Sequence, residues 1–220
     1  MVQKKILILG GIGNGSVIAN AIVDANRRGD NKWLFAGYLN DRVSANETIQ
    51  GFQVLGKLSD ASNFVQKGYF FINTIFRIDG QQERIDMFEN LGIPEENLAT
   101  FIHPLSYIAP NVKLGKGNVV MPNVSISSGT TTGKSCLIMV GATIGHDNQI
   151  GNYCHFAAQC CTGAYLKIAD GVHIGLNATI RENLCIGKNA TLGMGSVLTK
   201  NINDNEIWVG NPAKLLRLSE

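Results

Sequence analysis

The chain has 220 residues, enough for one large or two modest domains, with the 45% hydrophobic content of an ordinary globular protein. Its 19 basic and 17 acidic residues are dispersed and leave a net charge of +2, which gives no footprint for nucleic acid or an anionic membrane surface. No apolar stretch is long enough to span a bilayer, and five cysteines, two of them adjacent, fit neither a disulfide framework nor zinc spacing. The expectation is reduced thiols in a cytoplasmic protein without a metal.

The start, "MVQKKILILGG", sets two lysines before an apolar run as a signal peptide does, but Gly10, Gly11, Gly13 and Gly15 interrupt it. It reads instead as a buried strand and a glycine turn. Helical spacing follows over residues 16–30, a strand over 33–41, helical stretches over 59–68 and 80–92, and extended segments over 69–75 and 98–103. This alternation predicts an α/β domain over residues 1–104, a small Rossmann-like parallel sheet with helices on its faces. Its turn, "GGIGNGS", has Ser16 where a dinucleotide fingerprint has its third glycine, so that signal is weak. A tight glycine turn entering a helix still suits a phosphate; the alternative is a plain strand-to-helix turn.

From residue 107 sixteen hexads run without an insertion. Their second residues, from Ile108 through Ile138, Ile144, Ile150 and Phe156 to Leu198, are aliphatic or Phe in fourteen of sixteen cases. The next residue is glycine in eight, and the residue four after the aliphatic one, as Cys154 after Ile150, is small or apolar except for Asn118 and Asn148. Such a period fits no α-helix; it fits a parallel β-helix of short strands and turns, with the aliphatic residue and the one four later pointing inward. Cys136, Cys154 and Cys160 then face in, and Cys161 and Cys185 face out. The expectation is a second domain, 105–220, ending in a short cap.

Three of the four histidines, His146, His155 and His173, lie in this repeat at outward positions. An outward histidine is commonly a solvated surface residue, and no clustered carboxylate or thiolate makes these a metal site. The imidazole is nevertheless a base matched to neutral pH, and Asp147 follows His146 directly.

The hexads, with "GGIGNG", "LND" at 39–41, "IGHD" at 144–147 and "VGNPAK" at 209–214, resemble the hexapeptide-repeat acyltransferases, and within them the nucleotide-sugar N-acetyltransferases and sialic-acid O-acetyltransferases. The resemblance covers nearly the whole chain. It implies a left-handed β-helix with three hexads per coil, so that residues 18 apart stack. It implies an acetyl-CoA-dependent enzyme acetylating a nucleotide-linked amino sugar, here expected to be a UDP-4-amino-4,6-dideoxy sugar for surface glycan synthesis. It also implies a homotrimer with active sites between chains.

By the same resemblance His146 is the general base and Asp147 supports it. His155, Leu176 and Met194 contact acetyl-CoA, the co-substrate. Ile12, Gly13 and Asn14, with Asn40 and Asp41, hold the nucleotide sugar. The chain departs from the family where Asn14 replaces a common His, Asn40 a common acid, and Ile75 stands near a usual Gly. O-acetylation of a sugar hydroxyl and a non-catalytic β-helix scaffold stay open as alternatives.

Overall fold

The computed structural model describes residues 3–219. An α/β domain comes first: β1 (Lys4–Leu9), α1 (Asn14–Arg27), β2 (Trp33–Leu39), β3 (Thr48–Ile49), β4 (Phe52–Gly56), α2 (Ala61–Gln66), β5 (Phe70–Asn73) and α3 (Gln81–Glu89). The sheet order is β3-β4-β2-β1-β5, parallel except for the β3–β4 pair. Central β1 is an apolar run because it is covered on both faces: Ile6, Leu7, Ile8 and Leu9 are wholly buried. Helix α1 buries Ile18, Ile22 and Ala25 at helical spacing. It ends before the expected residue 30 because Gly29 takes a left-handed backbone (φ +96), and Asp30 N–H returns to the Ala25 carbonyl in a Schellman-type stop.

The chain then climbs a triangular prism of three parallel sheets. One face carries Val119–Val120, Leu137–Ile138, His155–Phe156, His173–Ile174 and Thr191–Leu192; a second carries Ser125–Ile126, Thr143–Ile144, Cys161–Thr162 and Thr179–Ile180; the third carries Thr131–Thr132, Gln149–Ile150, Lys167–Ile168 and Cys185–Ile186. Up to the last coil each rung pairs with the residue 18 further on, as His155 with His173. From Asn118 to Ile202 the inward columns are buried as the hexads demand, Asn148 included, while Ile108, Val112 and Leu114 of the first coil are half-buried.

The hexad chemistry follows from this stacking. At Gly145 an added Cβ would lie 2.3 Å from the Gly163 carbonyl oxygen of the next coil, so only glycine lets the coils approach. Two residues on, every sixth position from Gly117 to Gly195 has positive φ, which Gly, Asn and Asp tolerate best. Asp147 is one of them.

Two boundaries differ from the sequence expectation. Phe101–Ile102, expected in the first domain, pairs with Val119–Val120 as the first rung, while Ala99 N–H still bonds to Phe71 of β5. The domains therefore change over at Thr100, upstream of residue 105. At the far end the repeat shortens, since Ile186 bridges Ile202, 16 residues on, and the antiparallel pair Glu206–Gly210 and Ala213–Leu218 caps the last coil.

The α/β domain sits on the His155 face. Tyr153 donates to Glu89 of α3, which also pairs with Lys134 at 2.8 Å. Thr191 donates to the Ile78 carbonyl, and Arg217 of the cap pairs with Asp79. His103, wholly buried, meets Asp24 of α1 at 3.2 Å.

Candidate active site

His146 occupies the vertex between the second and third faces, where the turn after Ile144 puts it outside the prism. Its Nδ1 lies 2.8 Å from Asp147 Oδ2, and both side chains are about half exposed, at 49% and 48%. With Nδ1–H given to the carboxylate, Nε2 keeps a free lone pair, the arrangement a general base requires. The aspartate reaches its neighbour because its backbone is left-handed and because the residue beneath it is Gly129, where a Cβ would stand 2.1 Å from Asp147 Oδ1. Tyr165, one coil on, meets the imidazole edge to face at 5.0 Å.

The glycine turn borders a cleft of about 700 Å³ in the α/β domain, lined by Gly10, Gly11, Ile12, Asn40, Asp41 and Arg42 on one side. Gly13 closes the turn with φ +80 and ψ −121 before the first turn of α1, which has no side-chain cap. Thr74, Phe76, Arg77 and Arg84 form the opposite wall. Three arginines thus line one cleft beside the glycine turn, a setting for a polyanion, with Arg77 and Arg84 also 3.9 and 4.0 Å from Glu83. A smaller annex of about 370 Å³ runs past Arg42 to Ser44, Lys57 and Asp60.

Asn40 was expected to bond the ligand, but its amide is already committed. Nδ2 donates to the Gly10 carbonyl at 2.6 Å, and Oδ1 accepts from Arg42 and Val43 N–H. It ties the glycine turn to the loop after β2. Asp41 spends one oxygen on Leu58 N–H. Ile12 stands exposed beside them.

His155 is corrected in its environment. Its position is outward with respect to the prism, as expected, yet it is only 6% exposed, because the α/β domain covers that face. Phe76 stacks on its ring at 4.4 Å, Asn14 meets Nε2 at 3.1 Å, and Nδ1 lies 3.0 Å from His173 Nδ1. One consistent set of protons has Asn14 donating to Nε2 and His155 Nδ1–H donating to His173. Burial, reinforced by the neighbouring imidazole, pushes His155 down to about 3, and burial pushes His173 down to about 4, so both stay neutral. Both ring nitrogens of His155 are occupied, and it does not lie on the open outer face expected of an acetyl-CoA contact.

Leu176 and Met194 do stack at the vertex between the first and second faces, both exposed, with Gly195 N–H bonded to the Leu176 carbonyl. The structure brings together His146 with Asp147, and Asn14 with His155. It does not bring the cleft to His146, whose vertex lies opposite the face that the α/β domain covers. Cys154 and Cys160 are buried, and burial holds their thiols protonated, Cys160 up to about 12, which suits packing and not nucleophilic attack. Among the described residues no group of His, Cys, Asp and Glu has the spacing to hold a metal ion, and no helix is long and apolar enough to cross a membrane.

Sequence reading missed Phe76, Arg77 and Arg84. They stand on the loop after β5 and on α3, and nothing periodic marks them. Arg42 directly follows "LND" and was within reach of that motif.

No family model matches the chain. It is similar to GDP-perosamine N-acetyltransferase of Escherichia coli O157:H7, 30% identical over 144 residues that cover 66% of this chain and 63% of that protein, less than two thirds of the relative's length. Among solved structures it resembles the acetyltransferase domain of PglB from Neisseria gonorrhoeae FA1090 in complex with acetyl coenzyme A, with a TM-score of 0.82 at 23% identity, covering 98% of this chain and 100% of that one. It also resembles a mutant of perosamine N-acetyltransferase from Caulobacter crescentus in complex with CoA and GDP-perosamine, with a TM-score of 0.79 at 22% identity and 98% of each chain covered. WeeI from Acinetobacter baumannii AYE has a TM-score of 0.75 at 23% identity, with 97% and 100% covered. The chain is therefore a hexapeptide-repeat, left-handed β-helix protein that carries an amino-terminal Rossmann-like domain.

Proposed function

We propose that the chain transfers the acetyl group of acetyl-CoA to the amine of a nucleotide-linked amino sugar. The observation that carries this reading is the pairing of an exposed His146, its Nε2 free and its Nδ1 held by Asp147, with a cleft edged by arginines in the same chain. The curated relative and one structural neighbour are named as perosamine N-acetyltransferases, and another neighbour as an acetyltransferase domain in complex with acetyl coenzyme A.

In the reaction the amine nitrogen attacks the thioester carbonyl while His146 Nε2 takes its proton. The C–N bond forms, the C–S bond breaks, and the imidazolium returns the proton to the departing thiolate. Asp147 fixes the tautomer and stabilises the imidazolium. The thioester is already activated, so no covalent enzyme intermediate is needed, and alignment of two bound substrates does the rest.

The cleft holds the diphosphate at the glycine turn, Gly13 and Asn14 with Arg77 and Arg84, and the nucleoside near Asp41, Arg42 and the annex. Acetyl-CoA lies along the vertex of Leu176 and Met194. We assign His155 to securing Asn14 behind the turn. Because the cleft and His146 lie on opposite sides of one prism, a complete site takes His146 from one chain and the cleft from another, in a closed ring of three. The unpaired buried thiols suit a reducing compartment, the cytoplasm.

Thiol release from acetyl-CoA, followed with UDP-, GDP- and dTDP-linked 4-amino-4,6-dideoxy sugars, with sugar alcohols and with free sialic acid, tests the reading. Turnover with at least one nucleotide-linked amine is expected. Turnover with hydroxyl acceptors alone, or none with any acceptor, would overturn it.

A further inference from the structure

Two amide side chains, Asn118 and Asn148, both fully buried, lie inside the prism in a column that is otherwise filled by small or apolar residues. Each is satisfied in the same way. Asn148 Nδ2 donates to the Gly145 carbonyl three residues back and to the Gly163 carbonyl of the next coil, both at 2.9 Å, while Oδ1 accepts from Leu166 N–H at 2.8 Å. Asn118 Nδ2 donates to the Gly115 and Gly133 carbonyls at 3.0 Å, and Oδ1 accepts from Cys136 N–H at 2.7 Å. The two sets have identical sequence offsets.

They differ in what the pinned corner carries. At Asn118 the turn is Gly115-Lys116-Gly117; at Asn148 it is Gly145-His146-Asp147. The Gly145 carbonyl also accepts from Thr130 Oγ1 at 2.8 Å, and Gly145 N–H lies 3.2 Å from Thr162 Oγ1. Asn148 N–H closes the cluster on Thr130 Oγ1 at 3.2 Å. Both ends of the two-residue segment His146-Asp147 are thus anchored to the interior of the prism, while the side chains themselves are exposed.

We propose that Asn148 is a positioning residue: from inside the β-helix it fixes the backbone that aims His146 and Asp147 at the outer vertex. With a smaller residue at 148 the Leu166 N–H and the Gly163 carbonyl lose these partners inside the prism, a costly state that the coil relieves by shifting the backbone around Gly145 and Gly163. A shift of the turn moves the imidazole directly. The inference rests on His146 being the base.

Asn118 supplies the matched control, since Asn118→Ala breaks the same bonds at a corner without chemistry. Both alanine variants should lose similar amounts in thermal midpoint. Asn148→Ala should lower kcat by ~10-fold to 10²-fold, the scale of an ångström-sized misplacement, with KM for acetyl-CoA and acceptor nearly unchanged; Asn118→Ala should keep its kcat. Asn148→Ser, which retains one donor toward Gly145, should recover part of the loss. If an alanine variant does not fold, the serine pair, Asn148→Ser against Asn118→Ser, decides in the same way. Equal kcat in the two members of a folded pair, with an inactive His146→Ala beside them, overturns the positioning role alone. A fully active His146→Ala removes the base and this inference with it.

Discussion

Asn14 and His155, 141 residues apart in sequence, meet at 3.1 Å across the boundary between the two domains. The contact joins the first residue of α1, on the glycine turn, to a buried and neutral imidazole pair on the prism face. It makes acid stability a readout of the interface. His155 and His173 have folded pKa values of about 3 and about 4, below the ordinary value of 6.5, so the unfolded chain binds more protons in between. Their contribution is complete above about pH 6.5 and is lost as pH falls toward 4. Buried His103, also lowered by its burial, acts in the same direction.

Urea midpoints measured from pH 7 to pH 4 should therefore fall steadily. A chain with His155→Gln and His173→Gln should show a shallower fall, with the remainder due to His103 and to the carboxylates of Asp24 and Glu89, which are held low. Superimposable slopes for the two proteins would show that the pair is not protonated on unfolding in this window.

Replacement of the exposed base should separate catalysis from folding. His146→Ala is expected to lower turnover by ~10² to 10⁴, the usual range for a lost general base, with the thermal midpoint almost unchanged, because an exposed side chain leaves no cavity. Asp147→Asn keeps a residue that tolerates the left-handed backbone and should cost less. Turnover near that of the parent in His146→Ala would take the residue out of the mechanism.

Gly13 combines a positive φ with open space around its Cβ direction. Gly13→Val is therefore expected to strain the turn without a clash and to misdirect the first N–H groups of α1. The acceptor's apparent KM should rise strongly while that of acetyl-CoA holds. A folded variant with unchanged acceptor KM would return "GGIGNG" to a plain strand-to-helix turn.

The same two variants test whether sites lie between chains. His146→Ala and Gly13→Val are denatured together and refolded one to one, then assayed at an acceptor concentration that starves Gly13→Val. If a site joins His146 of one chain to the cleft of the next, each is intact with probability one half, so about a quarter of the parent activity should return in random trimers. If one chain holds a whole site, every site in the mixture carries a lesion. Native mass spectrometry, which resolves the two chain masses, must show mixed trimers; a mixture as inactive as its parts would then rule out the shared site.

The hexads alone determined a parallel β-helix and the inward or outward sense of every cysteine, while the three-hexad coil and its 18-residue register came with the family resemblance. They could do so because each coil buries its core against identical neighbours, so the pattern repeats in sequence with the period of the structure. Alternating strands and helices similarly disclosed the α/β domain. Tertiary structure decided what covers the prism. His155 is outward by its hexad and buried in fact, because Phe76 and Asn14 arrive from a separate domain. Arg77 and Arg84 reach the cleft from the β5–α3 region, and the Asn40 amide is spent on Gly10, Arg42 and Val43. Contacts of this kind join residues with no shared period, and their partners are set by how two finished surfaces dock, which no local pattern encodes.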